Sequence, residues 1–362
     1  MKITHVEADS YVIPVELPRF PEPVKSDCVV CRVHTDQGVT GVGATHRANR
    51  FACRESIRRE LGPWLAGKDP MATERLWDQM FWKFNQRRMT GVWTAALSAV
   101  DIALWDIKGK ALGQPVYKLL GDHSGEVTAY CTFGMLEYGR EELAELAAGL
   151  VRNGWDKIKM KVCVDDSTNI PEDAARVMAV REAVGPDAEI MMDANHLFSL
   201  MQAKDLARRC EPYGVRWFEE PVAGNDVKDL LALKASTTIP IAAGQQEGMR
   251  WRHRDLIASG AVDIAQPDVV FVGGYTEGVK VAHLAQAYNL PIATHGWPHF
   301  NMHLVGAVSN GWRMEYHLEP AGLDAMLFKD PPVPEKGVMR IPDKPGLGLD
   351  FNEERVRPYK DK

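Results

Sequence analysis

From Val127 to Tyr316 the chain alternates eight short apolar runs with stretches of helical periodicity, and this alternation constrains its fold more than any other feature. The runs fall at 127–133, 157–162, 189–193, 215–219, 239–243, 262–266, 291–295 and 313–316. Strand and helix repeating in this way build a parallel sheet. No glycine-rich phosphate loop follows the first run, so a closed (β/α) barrel fits better than an open doubly wound sheet. Gly273-Gly274 lacks the surrounding pattern of such a loop and reads as a turn.

The flanks differ from this core. Residues 1 to about 45 read as an antiparallel meander, with alternating apolar positions at 3–13 and 28–34 and a turn at Asp36-Gln37-Gly38. A proline-rich segment from Pro14 to Lys25, carrying Arg19 and Phe20, suits a surface flap. Between about 53 and 112 the apolar residues take helical period, which makes this first module α+β. After about 320 the chain is rich in Pro and Gly and is expected to wrap back onto the first module.

Several function classes are disfavoured. A net charge of −6 without a basic run gives no reason to expect nucleic acid, and no run reaches membrane-spanning length. The start, Met1-Lys2-Ile3-Thr4-His5-Val6, alternates like a strand and does not resemble a signal peptide, so a cytoplasmic location is expected. Cys28 and Cys31 form a C-x-x-C inside a strand-like run, and with no second Cys or His pair of matching spacing, zinc or redox chemistry there is not expected. The expected partner is a small molecule.

In a parallel barrel the strand C-termini share one end, and that end carries the active site. The tips here present Lys159 and Lys161, Asp193 with Asn195, Glu219, Gln245 or Glu247, Asp268, His295 and Glu315. Glu219 follows Asp193 by 26 residues and Gln245 follows Glu219 by 26, about one strand plus one returning helix each time. Oxygen-bearing side chains placed so can converge on a hard cation such as Mg²⁺. Taken singly, Asp193 could form an Asx turn and Glu219-Glu220-Pro221 a helix entry. Recurrence on successive strands favours a site. Lys159 and Lys161 alternate, so both ammonium groups face the barrel interior or its mouth, where mutual repulsion and burial can poise one as a base. Asp268 can orient His295 through one ring nitrogen and leave the other to exchange a proton.

With the run Ala99-Val100-Asp101-Ile102-Ala103-Leu104-Trp105-Asp106 and the tail motif Pro345-Gly346-Leu347-Gly348, these residues make the chain resemble an enolase-superfamily enzyme of the mandelate racemase subgroup over nearly its whole length. The resemblance implies an α/β fold: a modified (β/α)7β TIM-type barrel at 126–320, an α+β capping domain at 1–125, and a tail at 321–362 packing on the cap. It implies that Lys159 contacts the substrate carboxylate, that Lys161 abstracts a proton, and that Asp193 and Glu219 ligate the metal. It implies that the Asp268–His295 dyad serves the opposite face of the substrate, and that Glu315 bonds the substrate carboxylate or enolate. The subgroup's third metal carboxylate is replaced by Gln245, whose carbonyl oxygen remains a Mg²⁺ ligand type but removes one charge. Glu247 falls on the same side if the backbone stays extended and is expected to assist.

Removing a hydrogen next to a carboxylate drives charge onto that carboxylate as an enediolate, which a cation and a lysine stabilise most in the transition state. Asn195, Arg19, His46 and Trp297 are expected substrate contacts, with Arg47 beside them in the cap. This polar mixture favours dehydration of an acid sugar, an aldonate or aldarate, to a 2-keto-3-deoxy acid. Racemisation, epimerisation or lactone cycloisomerisation is the alternative, and a non-catalytic binding relative a second. A homo-oligomer is expected.

Overall fold

Three antiparallel strands open the chain: β1 (Ile3–Val15), β2 (Val24–Thr35) and β3 (Thr40–His46), in the order β1-β2-β3. The computed structural model describes residues 1–46, 49–85 and 90–362, the side chains of His46 and Asn85 excepted. Pro14 lies inside β1, opposite Lys25. An edge strand tolerates the missing N–H, so the hairpin is longer and the flap shorter than the prolines suggested. The flap docks on the barrel: Tyr138 donates its hydroxyl to the Pro18 carbonyl at 2.6 Å, and Phe20 meets the Tyr138 ring edge-on.

The helix Val92–Leu112 is buried along most of its length and packs against the cap sheet. Gly41 and Gly43 permit this, since a Cβ on either would come within 2.0 Å of the helix carbonyls of Ala103 and Ala99. The helix also grips the barrel and the tail. Asp101 accepts from Thr276 N (2.9 Å) and Oγ1 (2.6 Å), and Asp106 accepts from Val42 N and Leu347 N, each at 2.9 Å.

Eight parallel strands follow: β4 (Glu126–Gly134), β5 (Lys157–Lys161), β6 (Glu189–Asp193), β7 (Val215–Glu219), β8 (Ile241–Ala243), β9 (Ile264–Ala265), β10 (Ile292–Thr294) and β11 (Gly311–His317). Pairing of β11 with β4 closes them into a barrel with a helix between each successive pair, the (β/α)7β arrangement. Period two sorts the side chains. Ile158, Met160, Met192 and Phe218 point outward into the core beneath the helices, whereas Tyr130, Met191, Trp217, Ala242, Ile264 and Ala293 form a separate interior cluster. Tyr130 and Trp217 meet edge to face there at 5.1 Å. This cluster is the floor on which the polar strand tips rest.

The tail adds β12 (Phe328–Lys329), β13 (Val338–Arg340) and β14 (Asp350–Phe351). β13 joins β4 antiparallel, β12 pairs with β14, and the chain then returns to the cap through a Tyr11–Lys360 bridge. Among the described residues no helix is long and apolar enough to cross a membrane.

Candidate active site

Register sets the site. Lys161 pairs with Asp193 and Asp193 with Glu219, so three consecutive strands end at one level. Above them lies a cavity of about 500 Å³, walled by Lys161, Asp193, Asn195, His295 and Glu315 from the strand ends and by residues 90–92 of the cap.

Lys159 and Lys161 share a face but not a depth. Lys161 reaches the cavity. Lys159 is fully buried one layer below, over the Tyr130 ring, with Nζ bonded to Glu219, 2.9 Å from Glu315 and 3.6 Å from Asp193. The expected contact of Lys159 with a substrate carboxylate is thus replaced by contacts with protein carboxylates. Nor is its proton affinity lowered: burial acts in that direction, but Glu219, Glu315 and Asp193 outweigh it and hold the ammonium well above its ordinary value.

Carboxylates outnumber this one buried cation. Glu219 accepts from Trp217 Nε1 (2.9 Å) and Gln266 Nε2 (2.7 Å), and burial, with the charges of Asp193 and Glu315 added, pushes it up to about 7 against the pull of Lys159. Glu220 is also fully buried, accepts from the backbone N–H groups of Gly244 and Gln245, and pairs with His196. Burial raises it well above the carboxylate range. Asp193 is held by the Asn195 side chain and backbone at 2.9–3.1 Å. Asn195, expected to contact substrate, lines the cavity and orients Asp193.

Gln245 is buried beside this cluster with neither Oε1 nor Nε2 bonded among the described residues. An unpaired buried amide is costly. A divalent cation would take its carbonyl oxygen, and it would relieve the excess negative charge of Asp193 and Glu219. This donor set fits Mg²⁺. Glu247 does not join it. Gly244 takes φ of 123° and its carbonyl accepts from Glu247 N at 3.1 Å, so the strand turns and the two-residue alternation is lost. The Glu247 carboxylate bonds Arg252 (3.0 Å) and Asn225 (3.2 Å) instead.

On the other side of the cavity His295 Nδ1 lies 2.8 Å from Asp268 Oδ2, and Nε2 is 4.0 Å from Glu315. Burial alone would lower the imidazole, but the Asp268 bond and the charges of Glu315 and Asp268 raise it above its usual value. Glu315 accepts from Thr132 Oγ1 (2.5 Å) and Gly296 N (2.7 Å). Burial would raise it, yet Lys159 and His295 keep it well below the carboxylate range.

Two expected substrate contacts lie elsewhere. Arg19 forms an exposed ion pair at 2.5 Å with Glu145 of the helix Arg140–Arg152, because the flap docks on Tyr138 just before that helix. Trp297 is fully buried against Phe300 and does not line the cavity. Arg47 and the side chain of His46 lie outside what is described. Sequence reasoning missed Thr132, Gln266 and Asn301. For Gln266 a signal existed, since it precedes Asp268 by two residues at a strand end.

Comparison with known proteins gives two family matches. The mandelate racemase / muconate lactonizing enzyme N-terminal domain matches residues 4–121, and the enolase C-terminal domain-like family matches residues 142–355. An arabinonate dehydratase of Saccharolobus solfataricus is 32% identical over 92% of this chain and 91% of its own length. The crystal structure of 3,6-anhydro-D-galactonate cycloisomerase from Zobellia galactanivorans superposes with a TM-score of 0.90 at 33% identity, covering 100% of both chains. That of L-talarate dehydratase from Polaromonas sp. JS666, complexed with Mg and L-glucarate, superposes with a TM-score of 0.89 at 30% identity over 100% of this chain and 98% of the other.

Proposed function

This chain belongs to the mandelate racemase / muconate lactonizing enzyme family of the enolase superfamily, and on that premise we propose that it dehydrates an acid sugar to a 2-keto-3-deoxy acid. The observation that carries this reading is one cavity walled by both Lys161 and a His295 held by Asp268, two proton-transfer groups on different strands.

Lys161 Nζ takes the hydrogen next to the carboxylate, leaving an enediolate. His295, charged and bonded to Asp268 through Nδ1, then gives the Nε2 proton to the β-hydroxyl, which leaves as water. The resulting enol tautomerises to the ketone. Glu315, fixed by Thr132, Gly296 N and Lys159, lines the cavity as an acceptor beside His295 Nε2. Mg²⁺ held by Asp193, Glu219 and Gln245 would supply positive charge where the enediolate develops. The Mg-bound talarate dehydratase and the arabinonate dehydratase support both parts of the reading.

Cycloisomerisation of an anhydro-aldonate or a lactone is a second reading, favoured by the whole-chain likeness to the Zobellia enzyme. It uses the same first proton transfer. Six buried free cysteines support a reducing, cytoplasmic setting, and the symmetric oligomer expected from the sequence belongs to the same proposal.

The test is purified protein with Mg²⁺ against a panel of aldonates, aldarates and their lactones and anhydro forms, in deuterated solvent. Release of a 2-keto acid supports dehydration. Deuterium uptake with ring opening or closure and no keto acid selects cycloisomerisation. Binding without exchange in any ligand overturns both and leaves a non-catalytic relative.

A further inference from the structure

We propose a second metal site on the solvent face of the cap sheet, built from His5, Glu7 and His34 and suited to a divalent transition ion such as zinc. Strand geometry places these residues together: His5 and Glu7 are two apart on β1, and His34 on β2 is the register partner of His5. One ligand atom from each lies within 4.8 Å of the other two. His5 Nε2 is 3.6 Å and His34 Nε2 3.5 Å from the Glu7 carboxylate, and the two rings stack at 4.3 Å.

A hydroxyl stands behind each ring. His5 Nδ1 lies 3.1 Å from Thr4 Oγ1, and that hydroxyl spends its own proton on the His34 carbonyl, also at 3.1 Å. Thr4 can therefore only accept from His5, so Nδ1 carries the hydrogen and Nε2 of the neutral ring is a lone pair. His34 Nδ1 lies 3.1 Å from Thr40 Oγ1, and its Nε2 faces Glu7 Oε2 at 3.5 Å. The rings are nearly parallel, 9° apart, so an ion shared by both Nε2 atoms requires the exposed His5 ring to turn out of the stack, with Thr4 and Thr40 behind the rings where hydroxyls orient metal-bound imidazoles. Arg32 also touches Glu7, at 3.1 Å, but it is shared with Asp9 and Glu353. Its contact is with Oε2, the oxygen facing His34, so Oε1 beside His5 is the oxygen left for an ion.

Two imidazoles and one carboxylate are a ligand set for zinc, with a water completing the tetrahedron. Mg²⁺ prefers oxygen and retains its own waters, so it should not compete here. An ion bound here would bridge β1 to β2.

The test titrates zinc, against a chromophoric chelator, into the full-length protein saturated with Mg²⁺. One zinc equivalent is expected in the wild type and in Asp193→Asn, which disables the barrel site. His5→Ala and His34→Ala should each lose that equivalent or bind it at least ~10-fold more weakly, and Thr40→Val should weaken it by about tenfold. His5 is exposed, so its variant will fold and decide the matter even if His34→Ala does not. Turnover of His5→Ala with Mg²⁺ should match the wild type. Equal zinc stoichiometry and affinity in wild type and His5→Ala overturns the site.

Discussion

Asn301 donates its side-chain amide to Asp268 Oδ1 at 2.8 Å and to the backbone carbonyl of His295, also at 2.8 Å. Its own carbonyl accepts from Val269 N at 3.1 Å. One buried amide therefore ties together the ends of β9 and β10, from which the two members of the dyad project.

This gives Asn301 a positioning role rather than a chemical one. In Asn301→Ala the imidazole loses its fixed aim, and misplacement by about an ångström costs on the order of 10²-fold in rate. The expected result is a fall in kcat of that size with KM changed little, plus a stability loss of about 1–3 kcal/mol from backbone groups left unpaired. Steady-state kinetics alongside thermal melting check it. A folded variant with unchanged kcat removes the role.

The dyad also sets a pH dependence. His295 faces Asp268, Glu315 and Lys159, with His196 farther off, and the net effect raises its pKa above 6.5. As the proton donor in dehydration it must be charged, so kcat should decline as pH rises through that raised value. Stability follows the same sign: the dyad's contribution is complete below the unfolded pKa of ~6.5 and is lost as pH climbs through the folded one. Asp268→Asn removes the first of the groups that raise it, so the alkaline limb of the kcat profile should move toward acid. A limb that stays in place in that variant detaches Asp268 from His295.

The strand tips were legible in the sequence because a parallel barrel returns the chain to one end at each repeat, and the eight runs lie within a few residues of β4 to β11. What was not legible depends on leaving the strand. Glu247 follows the strand period only until Gly244 turns the chain, and Arg252, a helical turn away, then claims its carboxylate. Asn301 becomes a neighbour of Asp268 only because the helix Pro298–Ala307 folds back on the strand ends. Arg19 carries no periodicity, and its position is set by a flap docking on Tyr138. Depth was hidden too: alternation placed Lys159 and Lys161 on one face but could not say that one lies beneath the other.

Gln245 offers a test by restoration. Gln245→Glu adds a carboxylate beside Asp193, Glu219 and Glu220, which raises cation affinity through ligand charge and worsens repulsion when no cation is bound. Mg²⁺ should bind about tenfold more tightly, while the metal-free variant melts below the wild type at neutral pH. Calorimetric titration and melting with and without chelator check both. Unchanged affinity together with an unchanged melting temperature would place residue 245 outside the cation site.

Lys159 tests the charge balance directly. Among the described residues its ammonium is the one cation within hydrogen-bonding reach of Glu219 and Glu315 together, and all three side chains are buried. Lys159→Met keeps the length and apolar stem but leaves these carboxylates facing one another, and stripping one partner from a buried ion pair costs about 3–5 kcal/mol. Added Mg²⁺ replaces part of the lost positive charge, so the melting temperature should rise more with Mg²⁺ in the variant than in the wild type. Protonation relieves the same repulsion, and without Lys159 Glu219 titrates above its wild-type value of about 7, so the deficit should also shrink as pH falls toward 7 and level off below it. A Lys159→Met protein as stable as wild type without metal would mean that these carboxylates are already neutral, and that the buried cluster does not call for a cation.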